Sequence, residues 1–218
     1  MMGGKTSTDL FAELGLVAAL LLIYVLVLIM GYDSFAGWML NGEPKEWLSA
    51  PWSIVSYAFV HTLWRHIAVN VGLVLMLILT GTLSAKEFYG LFFGGVIVGG
   101  ITFLWLGDGV LVGASAGIAA LISVALVRSL KRPHFIYLFF VFVLMFESVM
   151  RNKLYDITFG VHLAGYVVGL LYLFSCWRQD RKIRTTNDVV EKANVSGYSS
   201  LSREERQALR QQHDDIEK

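Results

Sequence analysis

Four polar side chains stand in otherwise apolar segments and together have the chemistry for acyl transfer: Ser115, His162, His66 and Asn70. A serine hydroxyl is a weak nucleophile until a neutral imidazole accepts its proton, and that imidazole can later protonate the leaving amine. Ser115 and His162 fit these two roles. The Asn70 amide and a His66 ring N–H can hydrogen-bond the oxyanion of a tetrahedral intermediate, and their four-residue spacing puts them on one helix face.

Each of these residues also has an ordinary structural explanation. A serine in an apolar helix can hydrogen-bond a carbonyl one turn earlier, and an asparagine can join two helices. A histidine in a membrane span is more often functional, because an ionisable group is costly to bury in lipid. His61 is a weaker candidate because it can lie at the membrane interface, and His134 is weaker because it follows Pro133 in a loop.

No acidic residue is an obvious third member of a catalytic triad. Asp156 and Glu147 both fall near the required side, but Glu147 can equally pair with Arg151. The sequence therefore favours a serine–histidine dyad over the three-residue arrangement of soluble serine proteases.

The composition is that of a membrane protein. Hydrophobic residues make up 56% of the 218 residues and charged residues only 16%. The formal net charge of +1 gives no basic field, and no zinc-type or phosphate-loop spacing occurs. Nucleic-acid binding is therefore excluded, and no metal or cofactor is expected. The single cysteine, Cys176, has no partner for an intrachain disulfide and is expected only to pack.

The apolar segments predict an all-α membrane protein built as a bundle of six transmembrane helices. The first apolar run has about the ~20 residues that a spanning helix needs and lacks a convincing cleavage site, so it is predicted to be an anchor. The predicted spans are residues 10–32, 54–83, 88–106, 113–127, 135–150 and 160–177.

Polar segments flank and interrupt the predicted membrane domain, residues 10–177. Residues 1–9 form a short cytoplasmic lead. Residues 33–51 mix charged and tryptophan side chains, which is typical of a loop that lies in the headgroup zone.

The predicted tail, residues 178–218, is soluble and carries nearly balanced charge. Ser202 and Glu205 have capping-box spacing and precede good helix formers. A short helix is therefore predicted near residues 203–212.

Basic residues close to the span ends predict the orientation. With the N-terminus inside, nine lysines and arginines lie on the cytoplasmic side and four on the other, so both termini are predicted to be cytoplasmic. Spans two, four and six then begin on the outer side. At a rise of ~1.5 Å per residue, Ser115, His162 and Asn70 lie ~20–24 Å from the basic anchors beyond their spans. In a ~30 Å core, all three are roughly 5–10 Å beneath the outer surface.

Three motifs carry a resemblance to a known family, the rhomboid intramembrane serine proteases. Residues 61–70, His-Thr-Leu-Trp-Arg-His-Ile-Ala-Val-Asn, resemble its histidine and asparagine motif on the second helix. Gly113-Ala-Ser115 resembles its Gly-x-Ser nucleophile motif on the fourth. Residues 162–169, His-Leu-Ala-Gly-Tyr-Val-Val-Gly, resemble its histidine helix, the sixth. The likeness covers about residues 52–177 and keeps the motifs in the family's order.

The resemblance implies a role for each residue. Ser115 is expected to be the nucleophile, His162 the general base, and His66 with Asn70 the oxyanion hole. Supporting glycines are expected to allow close packing, above all of span six against span four: Gly113, Gly117, Gly165 and Gly169. The resemblance also implies that the first loop is embedded in the membrane and that span five is the lateral gate for substrate.

Three positions depart from the family's usual pattern. Ala116 follows the serine, where the family usually has glycine. Ala119 stands where some members have a tyrosine stacked on the catalytic histidine, and Ser53 follows Trp52 where an arginine is frequent. None of the three removes a reacting group.

The predicted function is that of a serine endopeptidase that hydrolyses peptide bonds in or near the transmembrane segments of other membrane proteins. Its expected partners are those substrates and the lipid bilayer, without nucleic acid or metal, and its expected location is a bacterial inner membrane. The alternative is a catalytically silent rhomboid-like protein that binds membrane-protein clients. A small transporter is disfavoured, because the sequence shows no inverted repeats.

Overall fold

Helices dominate the part of the chain that the structure, a computed structural model, describes: residues 7–130, 135, 139, 157–202, 205 and 206. The α-helices are α1 Ser7–Met30, α2 Pro44–Ser49, α3 Ser53–Ser56, α4 Trp64–Thr80, α5 Ala85–Leu106, α6 Ser115–Arg128 and α7 Ile157–Ser196. Short 3-10 helices cover Tyr32–Trp38, Tyr57–Phe59 and Tyr198–Ser200. Two-residue strands, β1 Leu40–Asn41 and β2 Val110–Leu111, pair antiparallel.

Several helices have the length and apolar character of membrane spans. Within the described ranges, α1, α5 and the Thr158–Gln179 part of α7 each meet this requirement. The Ser53–Phe59 segment and α4 meet it as a pair bent by 94°, which raises the count from three to four. Helix α6 is apolar but has only 14 residues. The predicted fifth span, residues 135–150, lies almost wholly outside the described residues, so six spans and the orientation stay predictions.

Helix α6 is the central element. Ten consecutive residues, 116–125, are buried, because α6 packs against α4 and α5 and against the first turns of α7. A helix that is apolar on every face is expected to be surrounded in this way. Helix α1 packs outside it, on α4 and α5. The helix that begins at Ser115 is therefore held on several sides.

An ion pair ties α5 to the C-terminal end of α6. Arg128 donates from Nη2 to Glu87 Oε1 at 2.7 Å and from Nη1 to the Thr82 carbonyl at 3.1 Å. Glu87 also completes a capping box with Ser84, whose N–H donates to Glu87 Oε2 at 3.0 Å. The spans predicted at residues 54–83 and 88–106 leave Glu87 between them. In the structure it lies in the first turn of α5, because this box starts the helix at Ala85.

The loop predicted at residues 33–51 has a defined structure that reaches the segment before Ser115. The Trp52 indole N–H donates to the Gly37 carbonyl at 2.9 Å, and the Ser56 hydroxyl donates to the Trp38 carbonyl at 2.8 Å. Strand β1 then pairs with β2, which lies four residues before Ser115. The loop and the start of α6 are therefore hydrogen-bonded through one short ladder.

One carboxylate lies fully buried in the first helix, a feature that the apolar pattern of this segment does not predict. Glu13 on α1 is 0% exposed. Nearby, the Tyr89 hydroxyl of α5 donates to the Ala12 carbonyl, and a Cβ on Gly15 would lie 3.3 Å from that hydroxyl. A small residue at 15 therefore allows α1 to approach α5 closely.

The last helix continues well past the predicted end of span six at residue 177. Helix α7 runs to Ser196, because neither glycine nor proline occurs between Gly169 and Gly197. Gly197 ends it with φ +81°, and its N–H donates to the Ala193 carbonyl at 3.0 Å.

The chain divides into two compact units, Met1–Leu171 and Tyr172–Lys218. In the second unit Val189 and Leu201 are buried, and Lys192 Nζ pairs with Glu205 at 2.9 Å. Ser202 and Glu205 exchange both capping-box hydrogen bonds that their spacing predicts. Most of the helix predicted near residues 203–212 lies outside the described residues.

Candidate active site

Ser115 is the first residue of α6. Gly113, with φ +106°, turns the chain immediately before it, and Ala114 is the N-cap residue, which has no side-chain capping bond. Ser115 is half-buried, whereas the residues that follow it are buried. The first N–H groups of a helix have no partner inside the helix and carry partial positive charge. The serine hydroxyl therefore lies beside backbone donors suited to an anion.

His66 lies against the turn that precedes Ser115. A Cβ on Gly113 would lie 2.7 Å from His66 Nε2 and would overlap its Cε1 atom. The Gly113 N–H also donates to the Tyr57 carbonyl at 2.9 Å. Gly113 is thus required twice, for its positive φ and for the space that the imidazole occupies.

Asn70 is 2% exposed and faces the interior from α4, one turn after His66. Its Nδ2 atom lies 2.7 Å from His61 Nε2. His61, which the sequence made a weaker candidate than His66, is itself 0% exposed. It lies in the break between the Ser53–Phe59 segment and α4, which meet at an angle of 94°.

Helix α7 packs against α6 through two glycines. Gly165 lies against the Ala116 carbonyl, and a Cβ there would be 3.0 Å from the Ala119 Cβ. One turn later, a Cβ on Gly169 would overlap the Ser123 hydroxyl oxygen. The contacts advance toward the C-terminus on both helices, so α6 and α7 run parallel here.

The parallel packing sets the position of His162 along α6. His162 is about one turn before Gly165, and Gly165 contacts Ala116, the neighbour of Ser115. His162 therefore lies at the end of α6 that begins with Ser115. Its side chain is buried, with 8% exposure.

Helix α5 packs on a third side of α6. A Cβ on Gly95 would lie 2.7 Å from the Ala116 carbonyl oxygen and 3.0 Å from the Gly117 Cα. Gly117 in turn faces Phe92, whose ring carbon Cδ2 would be 2.6 Å from an added Cβ. Small residues on both helices thus bring the α5 and α6 backbones close together.

The structure accommodates all three departures from the family pattern. The Ala116 methyl packs against Gly99 of α5, where a Cβ would come within 2.7 Å of it. Ala119 is fully buried and faces Gly165, so the close approach of α7 occupies that space. Ser53 is 1% exposed in α3, a position with no room for an arginine in this packing.

The two candidate third residues, Glu147 and Asp156, lie outside the described residues. Among the residues that are described, no cluster of three or more histidine, cysteine, aspartate or glutamate side chains could hold a metal ion. The described residues at this end of α6 offer a hydroxyl, imidazoles, an amide and backbone N–H groups.

Comparison with known families agrees with these motifs. The family model described as the Rhomboid domain matches residues 48–179, more than half of the 218-residue chain. No curated protein matches the chain significantly. The matched region contains the start of α6, the buried face of α4 and the glycine contacts of α7. The chain belongs to the rhomboid family.

Proposed function

We propose that this protein is an intramembrane serine endopeptidase, with Ser115 as nucleophile and His162 as general base. Rhomboid proteins are generally intramembrane serine proteases. The observation that carries the proposal to these residues is the parallel packing of α7 on α6 through Gly165 and Gly169, because it brings His162 to the end where Ser115 begins the helix.

The proposed reaction proceeds through an acyl-enzyme. Ser115 Oγ attacks the scissile carbonyl carbon while His162 takes the hydroxyl proton. The oxyanion accepts hydrogen bonds from the Asn70 amide, a His66 ring N–H and the first backbone N–H groups of α6. His162 then protonates the leaving amine, and the same imidazole activates the water that hydrolyses the ester.

The proposed substrates are membrane proteins whose transmembrane helix unwinds locally to expose its backbone. The family resemblance favours small residues at the cleavage site. In this proposal the catalytic domain is residues 10–177 with six spans, both termini are cytoplasmic, and residues 178–218 lie outside the bilayer. Water reaches Ser115 from the outer side, and a bacterial inner membrane is the proposed location.

The direct test is cleavage of a single-span substrate by the full chain in liposomes. Ser115→Ala and His162→Ala should each lower cleavage by ~10³-fold or more. Ser123→Ala is the matched control, since Ser123 lies two turns further along α6 and donates to the Ala120 carbonyl at 2.9 Å. It should cleave like wild type.

Cleavage rates are compared only among variants that retain the thermal unfolding transition of wild type. Wild-type rates in either dyad variant contradict the proposed mechanism. A wild-type protein that cleaves nothing yet still binds single-span proteins would instead be the catalytically silent rhomboid-like protein.

A further inference from the structure

His61 contacts both residues of the proposed oxyanion hole. It lies between the 3-10 helix Tyr57–Phe59 and α4, where the chain bends by 94°, and it is fully buried. Its Nε2 atom is 2.7 Å from Asn70 Nδ2, and its Nδ1 atom is 3.3 Å from the Phe59 carbonyl oxygen. Its ring meets the His66 ring edge to face, with centroids 4.8 Å apart.

These contacts select one tautomer of His61. The Phe59 carbonyl can only accept a hydrogen bond, so Nδ1 carries the proton. In a neutral imidazole the other nitrogen then has a lone pair, and Nε2 accepts a hydrogen bond from the Asn70 amide. The two hydrogen bonds are consistent with each other only in this arrangement.

The tautomer fixes the orientation of the Asn70 side chain. An amide nitrogen has two hydrogens, and His61 takes one of them. The second hydrogen is left to hydrogen-bond an oxyanion. Without an acceptor at position 61, the amide can rotate by about a half turn and present its oxygen, which repels an oxyanion instead of binding it.

We propose that His61 is a positioning residue: it holds the Asn70 amide as an oxyanion donor and supports the His66 ring beside Gly113. This inference rests on the proposed protease function. It assigns no contact with substrate to His61, which acts only through its two neighbours. A role in packing alone would need the ring volume of His61 but not its lone pair.

The variants separate these two roles. His61→Phe keeps a ring of similar volume and removes the acceptor, whereas His61→Gln supplies a carbonyl oxygen that can accept from Asn70. His61→Phe should lower kcat on the order of tenfold, less than the ~10²–10³ lost with an oxyanion donor, and should leave KM within about twofold. His61→Gln should recover most of the lost kcat.

A double-mutant cycle tests whether His61 acts through Asn70. The full-length chain in liposomes is assayed as wild type, His61→Phe, Asn70→Ala and the double variant, with Ser115→Ala as the blank. His61→Phe should have almost no further effect in the Asn70→Ala background, because the group that it positions is gone. An equal loss of kcat in both backgrounds, or a His61→Gln rate as low as that of His61→Phe, overturns the inference.

Two further results keep the test decisive. If wild type cleaves and Ser115→Ala does not, an additive cycle contradicts only the positioning role of His61. If wild type does not cleave, both the proposed protease function and this inference are wrong. Should His61→Phe not fold, the ¹⁵N ring shifts of His61 in labelled wild type provide the answer. A protonated Nδ1 with a bare Nε2 supports the inference, and the opposite tautomer overturns it.

Discussion

The two ends of α6 are held in different ways. At the C-terminal end, a charged pair, Arg128 with Glu87, joins two helices, and both side chains are about three-quarters buried, with 28% and 25% exposure. At the N-terminal end, Ser115 follows a glycine turn that packs on an imidazole, and the contacts there are neutral hydrogen bonds and close backbone approaches.

Under the proposed function, the C-terminal end of α6 serves stability and the N-terminal end serves catalysis. A partly buried charged hydrogen bond stabilises the folded state, and the proposed reaction does not use Arg128 or Glu87. The opposite end keeps helix N–H groups, an amide and imidazoles around one hydroxyl. Substitutions at the Ser115 end should therefore lower cleavage more than stability, and substitutions at the Arg128 end should do the reverse.

The largest effect beyond the dyad itself is expected at Gly113. In Gly113→Ala the new methyl overlaps the His66 ring and strains a positive φ, so cleavage should fall by about 10²-fold, as when an oxyanion donor is lost. Cleavage rates and thermal unfolding of the purified variant measure both effects.

Gly109→Ala is the matched control for Gly113→Ala. Gly109 has φ +89° but nothing within 4 Å of an added Cβ, so the variant carries the backbone strain without the clash. It should lose stability by about 1 kcal/mol and retain most of its cleavage rate. If Gly113→Ala and Gly109→Ala cleaved substrate at equal rates, the contact between Gly113 and His66 would not matter for catalysis. That result would contradict a catalytic role for the N-terminal end of α6.

The next effect is expected where α7 meets α6. A Cβ in Gly165→Ala overlaps the Ala116 carbonyl, which is backbone and cannot move aside, so the helices must separate. Stability should fall by about 1–3 kcal/mol, and cleavage should fall about tenfold because His162 moves away from Ser115.

Gly90→Ala, on α5, has nothing within 4 Å of its new methyl and serves as control. It should be neutral or slightly stabilising, since alanine has the higher helix propensity. If Gly165→Ala lost stability with full cleavage, the packing of α7 would not be what positions His162.

A smaller effect, confined to stability, is expected at the ion pair. Glu87→Gln keeps the capping box with Ser84 but loses the charge opposite Arg128, so the free energy of unfolding should fall by about 1–2 kcal/mol. The kcat for substrate cleavage should stay at the wild-type value. A clear loss of kcat at unchanged stability would show that the Arg128 end of α6 contributes to catalysis, contrary to the proposal.

The smallest effect concerns the exposed ion pair of the second unit. Hydrogen bonds from Lys192 and from the Ser202 backbone lower the pKa of Glu205 below its ordinary value of 4.5. The ionised Glu205 therefore stabilises the folded state above pH 4.5. This stabilisation is lost as the pH falls through the lower pKa that Glu205 has in the folded protein.

NMR titration of Glu205 should give a midpoint below 4.5, and Lys192→Gln should move it back toward that value. A wild-type midpoint at or above 4.5 would show that the ion pair does not hold in solution. Lys192→Gln should not alter cleavage, in contrast to substitutions at the start of α6.

Much of the fold near α6 could be predicted from residue types and spacing. The helical class and the rhomboid family are confirmed, because long apolar runs and three short motifs are local signals. The end of α7 has a local signal too, since no glycine or proline occurs between Gly169 and Gly197, but the charged composition after residue 177 favours an earlier end to the span.

Other features depend on contacts between distant segments, which periodicity does not report. His61 and Asn70 are nine residues apart and meet across a sharp bend in the chain. Their contact therefore cannot be predicted from the regular spacing of a helix or a strand. The fit of Ala116 depends on Gly99 of another helix. The β1–β2 pair is two residues long, too short to give an alternating pattern.

Covalent labelling can establish whether Ser115, at the start of α6, is an activated serine. The full chain in liposomes is treated with a fluorophosphonate probe, and the labelled residue is located by mass spectrometry. The adduct should form on Ser115 in wild type and in Ser123→Ala, and should be lost in His162→Ala and in Ser115→Ala. Equal labelling of His162→Ala, or an adduct on another residue, would contradict the proposed Ser115–His162 dyad.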